Sequence, residues 1–434
     1  MVKQIPRRAQ TTSDLVLASS SAAIEETFSR LNRRFRIWGR WLTVRHPYRN
    51  VVRAINPKNK SLDGKLLAEY IAGSIPLHLM DGWVFLSRAL DAVKLGDHNT
   101  AAHLGYYAEL RAAMSLLASE GIGIFNRKHV AINSSFVPTT LHLGTHPATW
   151  KLLKSWGADQ TRAITLLDSI SVESRTIREW FDEAKISSSA QIKVAREWLK
   201  VWSLDLSIFD ADHELRNNIS YRPSRITANS PSPLDLDVDV IDPVMQTWLA
   251  VEPSGDSGGA VIDRILLYRA LRLASNQSSD SGWQTVVNTL QGIASDSLID
   301  QLRNESKNSS YTLNVAGDSS EPPPVPAILA RATLLLRLAN GACALRLRNS
   351  RTTREDIRFW WKRVGEDFGL WTDEADADPF SDLWAGVDES LSDTQDNLDL
   401  VGIPKTITEI TAILSTRVPL TQYSRAPLWL LGVD

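Results

Sequence analysis

Apolar residues recur every three or four positions in segment after segment of this chain, a period that fits α-helices and not alternating strands. Ile24, Phe28, Leu31, Phe35, Trp38 and Leu42 keep the spacing from Ala22 to about Trp41. Leu79, Trp83, Leu86, Leu90 and Val93 keep it within 77–95, and Tyr106, Leu110, Met114 and Leu117 within 101–119. Asp97 precedes the last of these as an N-cap, and Glu120-Gly121 ends it, glycine being the residue that most easily takes the left-handed conformation there. Ile122 to Ile132 breaks the pattern and reads as a short β-hairpin turning at Asn126-Arg127-Lys128. Further helices are expected over 147–156, 161–170, 174–184 and 188–208. The expected fold class is mainly α, a helical bundle with a small β-hairpin insertion, followed by a second helical domain.

The chain has 434 residues, more than a single hydrophobic core usually serves. Ala228-Asn-Ser-Pro-Ser-Pro and the stretch from Asn304 through Glu321-Pro-Pro-Pro have linker composition. The expected organisation is a basic N-terminal arm and helix over 1–60, with 1–21 a loose arm. A helical-bundle domain over 61–227, a helical extension over 228–303, a linker over 304–326 and a C-terminal helical domain over 327–434 follow.

A net charge of -2 conceals a polarity along the chain. Between Arg30 and Lys60 every charged residue is basic, while Trp371 to Leu400 contains no Lys or Arg. Arg30, Arg33, Arg34, Arg36 and Arg40 are therefore candidate contacts to RNA or DNA phosphates, with Trp38, Trp41 and Tyr48 available for stacking. The same face could instead be solvated, or dock on the chain's own acidic segment. The 15 tryptophans read as large side chains knitting helices together, with base stacking or partner contacts as the other use.

The single cysteine, Cys343, lies in an apolar run, which excludes an internal disulfide and points to a small buried residue rather than a nucleophile. The eight histidines show no metal-ligand spacing, and there is no phosphate loop or dinucleotide fingerprint, so neither metal nor cofactor is expected. No uncharged apolar run approaches the ~20 residues that span a bilayer, and the basic start lacks a secretory apolar segment. A cytoplasmic protein without membrane contact is expected.

Gly255-Asp-Ser-Gly-Gly259 matches the string around the nucleophile of trypsin-like proteases, and Thr100-Ala-Ala-His103 resembles their histidine segment. The protease reading is rejected because that fold is built of β-barrels, whereas His103 opens a helix and Ser257 precedes one. An N-cap accounts for Asp256 or Ser257.

Asp212-His-Glu-Leu-Arg-Asn-Asn-Ile-Ser-Tyr-Arg-Pro223 carries an arginine–polar pair followed by an aromatic residue about one turn later. It resembles the signature of the HEPN superfamily, and Tyr106 through the hairpin is similar to that group's YaaC-like branch. The resemblance spans about Leu66 to Pro223. It implies a helical bundle and an RNase or nucleic-acid-linked component of bacterial toxin and phage-defence systems. In the catalytic members an arginine and a histidine converge on a scissile phosphate. Arg216 matches the arginine and Asn217 its polar neighbour. The histidine position falls near Ser220 or Tyr221; tyrosine titrates near about 10 and is a poor base at neutral pH. His213 lies on the other side of Arg216.

His103, Tyr107 and Arg111, spaced i, i+4, i+8, share one helix face. With Arg216 and Asn217 they could line a pocket, or they could hydrogen-bond within the bundle. The function expected is a non-catalytic nucleic-acid-associated or partner-binding subunit of a defence or toxin system, alongside other protein subunits. The alternatives are an RNase using Arg216 with Tyr221 or a histidine from elsewhere, and a protein-interaction scaffold.

Overall fold

A computed structural model of the chain describes residues 5–38, 61–201, 208–221, 241–254, 259–275, 280–320, 323–370, 383–402 and 425–431, with 408–409, 412–413, 420 and 422. The elements that position the site are, in order, β1 (Arg7–Arg8), α1 (Thr12–Leu17), α2 (Ser21–Trp38), α3 (Gly64–Lys94) and α4 (His98–Ser119). After them come β2 (Ile122–Gly123), β3 (His129–Ile132), β4 (Pro138–Leu141), α5 (Thr145–Ala158), α6 (Ile208–Tyr221), α7 (Val261–Ala274) and α8 (Val325–Asn349). The fold is mainly helical with small sheets, as the periodicity requires.

Helices α3 and α4 form the centre. Asp63 caps α3 by accepting from the Lys65 and Leu66 N–H groups, and Asp97 caps α4 by accepting from that of Thr100. Gly121, at φ 85°, follows α4 in the left-handed conformation expected of it. Both helices bury residues on nearly every face, so neither can be a surface helix. Helix α8 closes over the pair. A Cβ on Gly82 would stand 2.6 Å from Leu336, and one on Gly105 2.9 Å from Ile328, so glycine lets α8 lie close to both. Trp83 Nε1 donates to Asn340 Oδ1 at 2.8 Å, a buried tie between α3 and α8.

The hairpin forms as expected, with Ile122 opposite Ala131, and extends into a four-stranded sheet of order β1-β4-β3-β2. Asn133 makes the added turn by accepting from the Ser135 and Val137 N–H groups. Strand β1 pairs parallel with β4, which corrects the reading of 1–21 as a loose arm. A capping box between Thr11 and Asp14 opens α1, whose Leu15 and Val16 are buried. The helix expected over 174–184 is shortened to Ile177–Glu183 by a tight hairpin with Glu173 and Ser174 at positive φ, and 188–208 is described as Ser188–Val201.

The stretch expected as a linker over 304–326 carries structure of its own. A 3-10 turn, Glu305–Asn308, and a helix, Tyr311–Ala316, occupy it, and Leu313 and Ala316 are buried. Among the described residues, one cluster of buried side chains takes members from Ala9 to Leu431. Helix α8 is long and apolar enough by composition to cross a membrane, yet 94% of its apolar window is buried inside the protein. Its three buried arginines explain why it belongs to this core. Arg346 pairs with Glu25 and, at 3.2 Å, with Glu120; Arg337 pairs with Asp263 of α7 at 2.7 Å; Arg331 pairs with Asp212 of α6 at 2.7 Å. Each carboxylate comes from outside the expected C-terminal domain.

The Arg331 pair is fully enclosed. Nε and Nη2 donate to the two Asp212 carboxylate oxygens at 3.0 and 2.7 Å, while Glu109 of α4 lies 3.6 Å from Nε. Burial, and then the Asp212 charge, push the Glu109 pKa well up; Asp212 is raised by burial but opposed by Arg331. Glu109 is therefore the protonated acid, and Asp212 carries the charge that balances Arg331. Glu109→Gln is expected to unfold in urea within about 1 kcal/mol of wild type. Asp212→Ala, which leaves the guanidinium buried without its bidentate partner, should lose about 3–5 kcal/mol. Equal losses would show that Glu109 is ionised.

Candidate functional site

The pair with Arg331 seats α6 against α4, and Arg216 follows Asp212 by about one helical turn. The Arg216 side chain is half-buried. Its Nη2 donates to Tyr107 Oη, its Nη1 donates to Asn217 Oδ1 at 3.0 Å, and its guanidinium carbon lies 5.1 Å from the Tyr107 ring centroid. Tyr107 and Asn217 are uncharged hydrogen-bonding partners. Among the described residues no carboxylate forms an ion pair with Arg216, in contrast to Arg331, Arg337 and Arg346.

Three histidines surround this cation. His103 lies with its ring 5.1 Å from that of Tyr107. His146, at the start of α5, stacks with His213 of α6 at 5.6 Å. Tyr106 lies 5.8 Å from His146 and 5.6 Å from His213 by ring centroids. A polar chain joins them: Trp150 Nε1 donates to Tyr106 Oη at 3.1 Å, and Tyr106 Oη lies 2.9 Å from His146 Nδ1. The tyrosine hydroxyl, already an acceptor from the indole, has its own proton to give to the imidazole. That bond engages Nδ1 of His146 and leaves Nε2 as the ring nitrogen not used by Tyr106. Asn217 is oriented by Arg216, so its amide nitrogen faces His213 Nε2 at 3.4 Å.

Burial lowers the His146 pKa to about 4, with the Arg216 charge next and His213 and Arg111 after it. His103 is lowered by burial and by Arg216. Tyr106 is raised, mainly by burial, so its hydroxyl keeps its proton. At neutral pH the surroundings of Arg216 thus supply uncharged donors and no counter-ion, an arrangement suited to an anion.

The face predicted from the i, i+4, i+8 spacing is present. Tyr107 and Arg111 line a cavity of about 420 Å³ together with His146, and His103 packs on Tyr107. Arg111 Nη1 lies 3.1 Å from His78 Nδ1 and 3.6 Å from Asp81. Asn217 and Arg216 join this face from α6. Sequence reasoning missed His146 and Trp150 as site residues and set His213 aside. His146 stands in Thr145-His-Pro147, where nothing in the spacing relates it to Arg216. His213 and Asn217 are i, i+4 neighbours on α6, which was a usable signal.

Arg30 pairs with Glu69 at 3.4 Å and lies 5.3 Å from the Phe136 ring centroid. Arg40 lies outside the described residues, as do Ser257 and the side chains of Arg33, Arg34, Arg36 and Tyr221. Cys343 is fully buried and its thiol is pushed up to about 12, so it is inert. Among the described residues no group of three His, Cys, Asp or Glu converges on a metal position.

The His146 imidazole should titrate near about 4 by NMR, against the ordinary 6.5. As pH falls below 6.5 the unfolded chain takes up a proton that folded His146 refuses until about 4, so stability from this group is full above 6.5 and lost across that window. In Arg216→Met the midpoint should rise, because a neighbouring cation is removed. An unchanged midpoint would leave burial as the whole cause.

No protein-family model, curated protein or solved structure matches the chain.

Proposed function

We propose that the Arg216 cluster binds a phosphate group of single-stranded RNA, and that the protein is an RNA-binding subunit that holds its ligand without cutting it. The observation that carries this reading is a half-buried arginine whose partners are the uncharged Tyr107 and Asn217, with neutral imidazoles beside it, where the fully buried arginines of α8 each have a carboxylate. A guanidinium with converging neutral donors recognises phosphate oxygens, and the charge-assisted bonds are stronger than neutral ones. The resemblance of 212–223 to HEPN proteins favours RNA as the source of the phosphate. It also suggests the setting, a bacterial toxin or phage-defence complex with other protein subunits.

Binding is favoured over cleavage by the state of His146. A general acid must be charged, and a general base must offer a free lone pair. His146 is held neutral by a pKa lowered to about 4, and its Nδ1 is already engaged by Tyr106. The cleavage reading retains one supporting observation: His146 and His213 bring imidazoles to Arg216, which the Tyr221 position does not supply.

A fluorescent ten-nucleotide RNA should bind with an affinity that falls as salt rises. Arg216→Met, checked for an unchanged melting temperature, should weaken binding about 10- to 100-fold, the loss of one or two charge-assisted bonds. RNA that stays intact supports the binding subunit. Fragments that disappear with Arg216→Met would establish the RNase instead, and absence of both binding and fragments would remove the RNA reading.

A further inference from the structure

The cavity beside Arg216 has the size and lining of a site for part of the same ligand. Its volume of about 420 Å³ falls within the ~300–1,000 Å³ of small-molecule sites. Tyr107 and His146 belong both to its wall and to the Arg216 cluster. Arg216 does not itself line the cavity, but it bonds Tyr107, which does.

The lining divides into two zones. Leu110 and Met114 of α4, with Phe125 of the hairpin, give an apolar floor, and all three are buried. Asn126, Arg127 and Thr145 lie toward the rim, the first two exposed and the third half-buried. No lining residue is acidic, so the cavity has nothing to hold a cation. An asparagine amide offers a donor and an acceptor together, and a guanidinium offers only donors. That combination suits a flat body with apolar faces and polar edges.

The two walls are held in place independently of any ligand. His129, past the hairpin turn, bonds through Nε2 to the Leu143 carbonyl at 2.9 Å, tying the hairpin to the connection that starts α5. Arg127 sits at φ 60°, a left-handed conformation that a long side chain seldom adopts. The hairpin turn keeps it there, and Arg127 is among the residues that line the cavity.

We infer that this cavity receives one unpaired nucleobase of RNA, whose phosphate lies on Arg216. The inference rests on the phosphate-binding reading and adds that a single nucleotide must be splayed out of its strand to bind. The base lies over Leu110 and Met114, and its edge meets Asn126 and Arg127.

The test uses a five-nucleotide RNA with 2-aminopurine at its centre and the same RNA abasic at that position. The full chain is compared with Thr145→Trp, which fills the cavity from its rim, with Arg127→Ala at the exposed turn, and with Arg216→Met. All variants are first checked by thermal melting. On binding, 2-aminopurine emission should change, and the abasic RNA should bind at least about tenfold more weakly, the scale of a lost stacking site. Thr145→Trp should reduce affinity for the intact RNA to the abasic level and leave the abasic RNA unaffected. Arg127→Ala should narrow the gap between the two RNAs, which keeps the inference testable if the tryptophan variant does not fold. Equal affinity for both RNAs, with Arg216→Met still weakening both, would overturn the base site and leave the phosphate reading intact. No binding of either RNA by the wild type would overturn both.

Discussion

The ion pair between Arg331 and Asp212 determines where α6 can sit, and the candidate site depends on that placement. Both side chains are wholly enclosed, so removing them from water carries a large penalty that only close, two-point contact offsets. Apolar packing alone would let α6 rotate or slide on α4 and α8 at little cost, because one leucine contact resembles the next. A bidentate pair has one geometry. Glu109 completes the arrangement as a neutral acid, which leaves one charge of each sign in the enclosed space. Helix α8 repeats the device with Arg337 toward α7 and Arg346 toward α2 and the end of α4, so one apolar helix orients several others.

Arg216 differs from the three fully buried arginines of α8 in having no carboxylate partner among the described residues. It lies about one turn beyond the compensated pair, on the same helix, yet Tyr107 and Asn217 give it hydrogen bonds without charge. The neighbouring imidazoles respond to it: the pKa values of His103 and His146 are both lowered by its field as well as by burial. A cation that suppresses the protonation of its neighbours is poorly neutralised. Anion binding would relieve this, whereas a second buried carboxylate would have closed the site.

Much of the helical framework was legible because periodicity is local. The helix beginning near Asp97 and ending at Gly121, and the hairpin after it, follow from residues within a few positions of one another. The N-terminal segment was not legible, since a two-residue parallel strand acquires meaning only beside β4. The stretch after Asn304 was misread for a different reason. Its asparagines resemble linker composition, but Asn308 Nδ2 donates to the Gln301 and Asn304 carbonyls, and Asn304 caps the 3-10 turn. Polar residues there build structure rather than loosen it. In α8 the apolar run drew attention to Cys343, while the arginines within it made the decisive long-range contacts. At the site, His103, Tyr107 and Arg111 could be grouped from one helix face; His146 could not, because α5 reaches the cluster only through the tertiary fold.

The anion position and the cavity share Tyr107 and His146, and that sharing couples the two. Tyr107 is held by Arg216 on one side and stacks with Phe85 at 5.3 Å on another, so its ring is fixed before any ligand arrives. His146 is fixed through Tyr106 to Trp150, whose own ring stacks on Phe209 of α6 at 4.6 Å. The polar chain thus returns to the helix that carries Arg216, and α4, α5 and α6 constrain one another around the site. A ligand that engages such a preformed wall spends little on ordering it. With its pKa lowered to about 4 by burial and by Arg216, His146 stays neutral through the physiological range, so the wall it contributes does not change charge there.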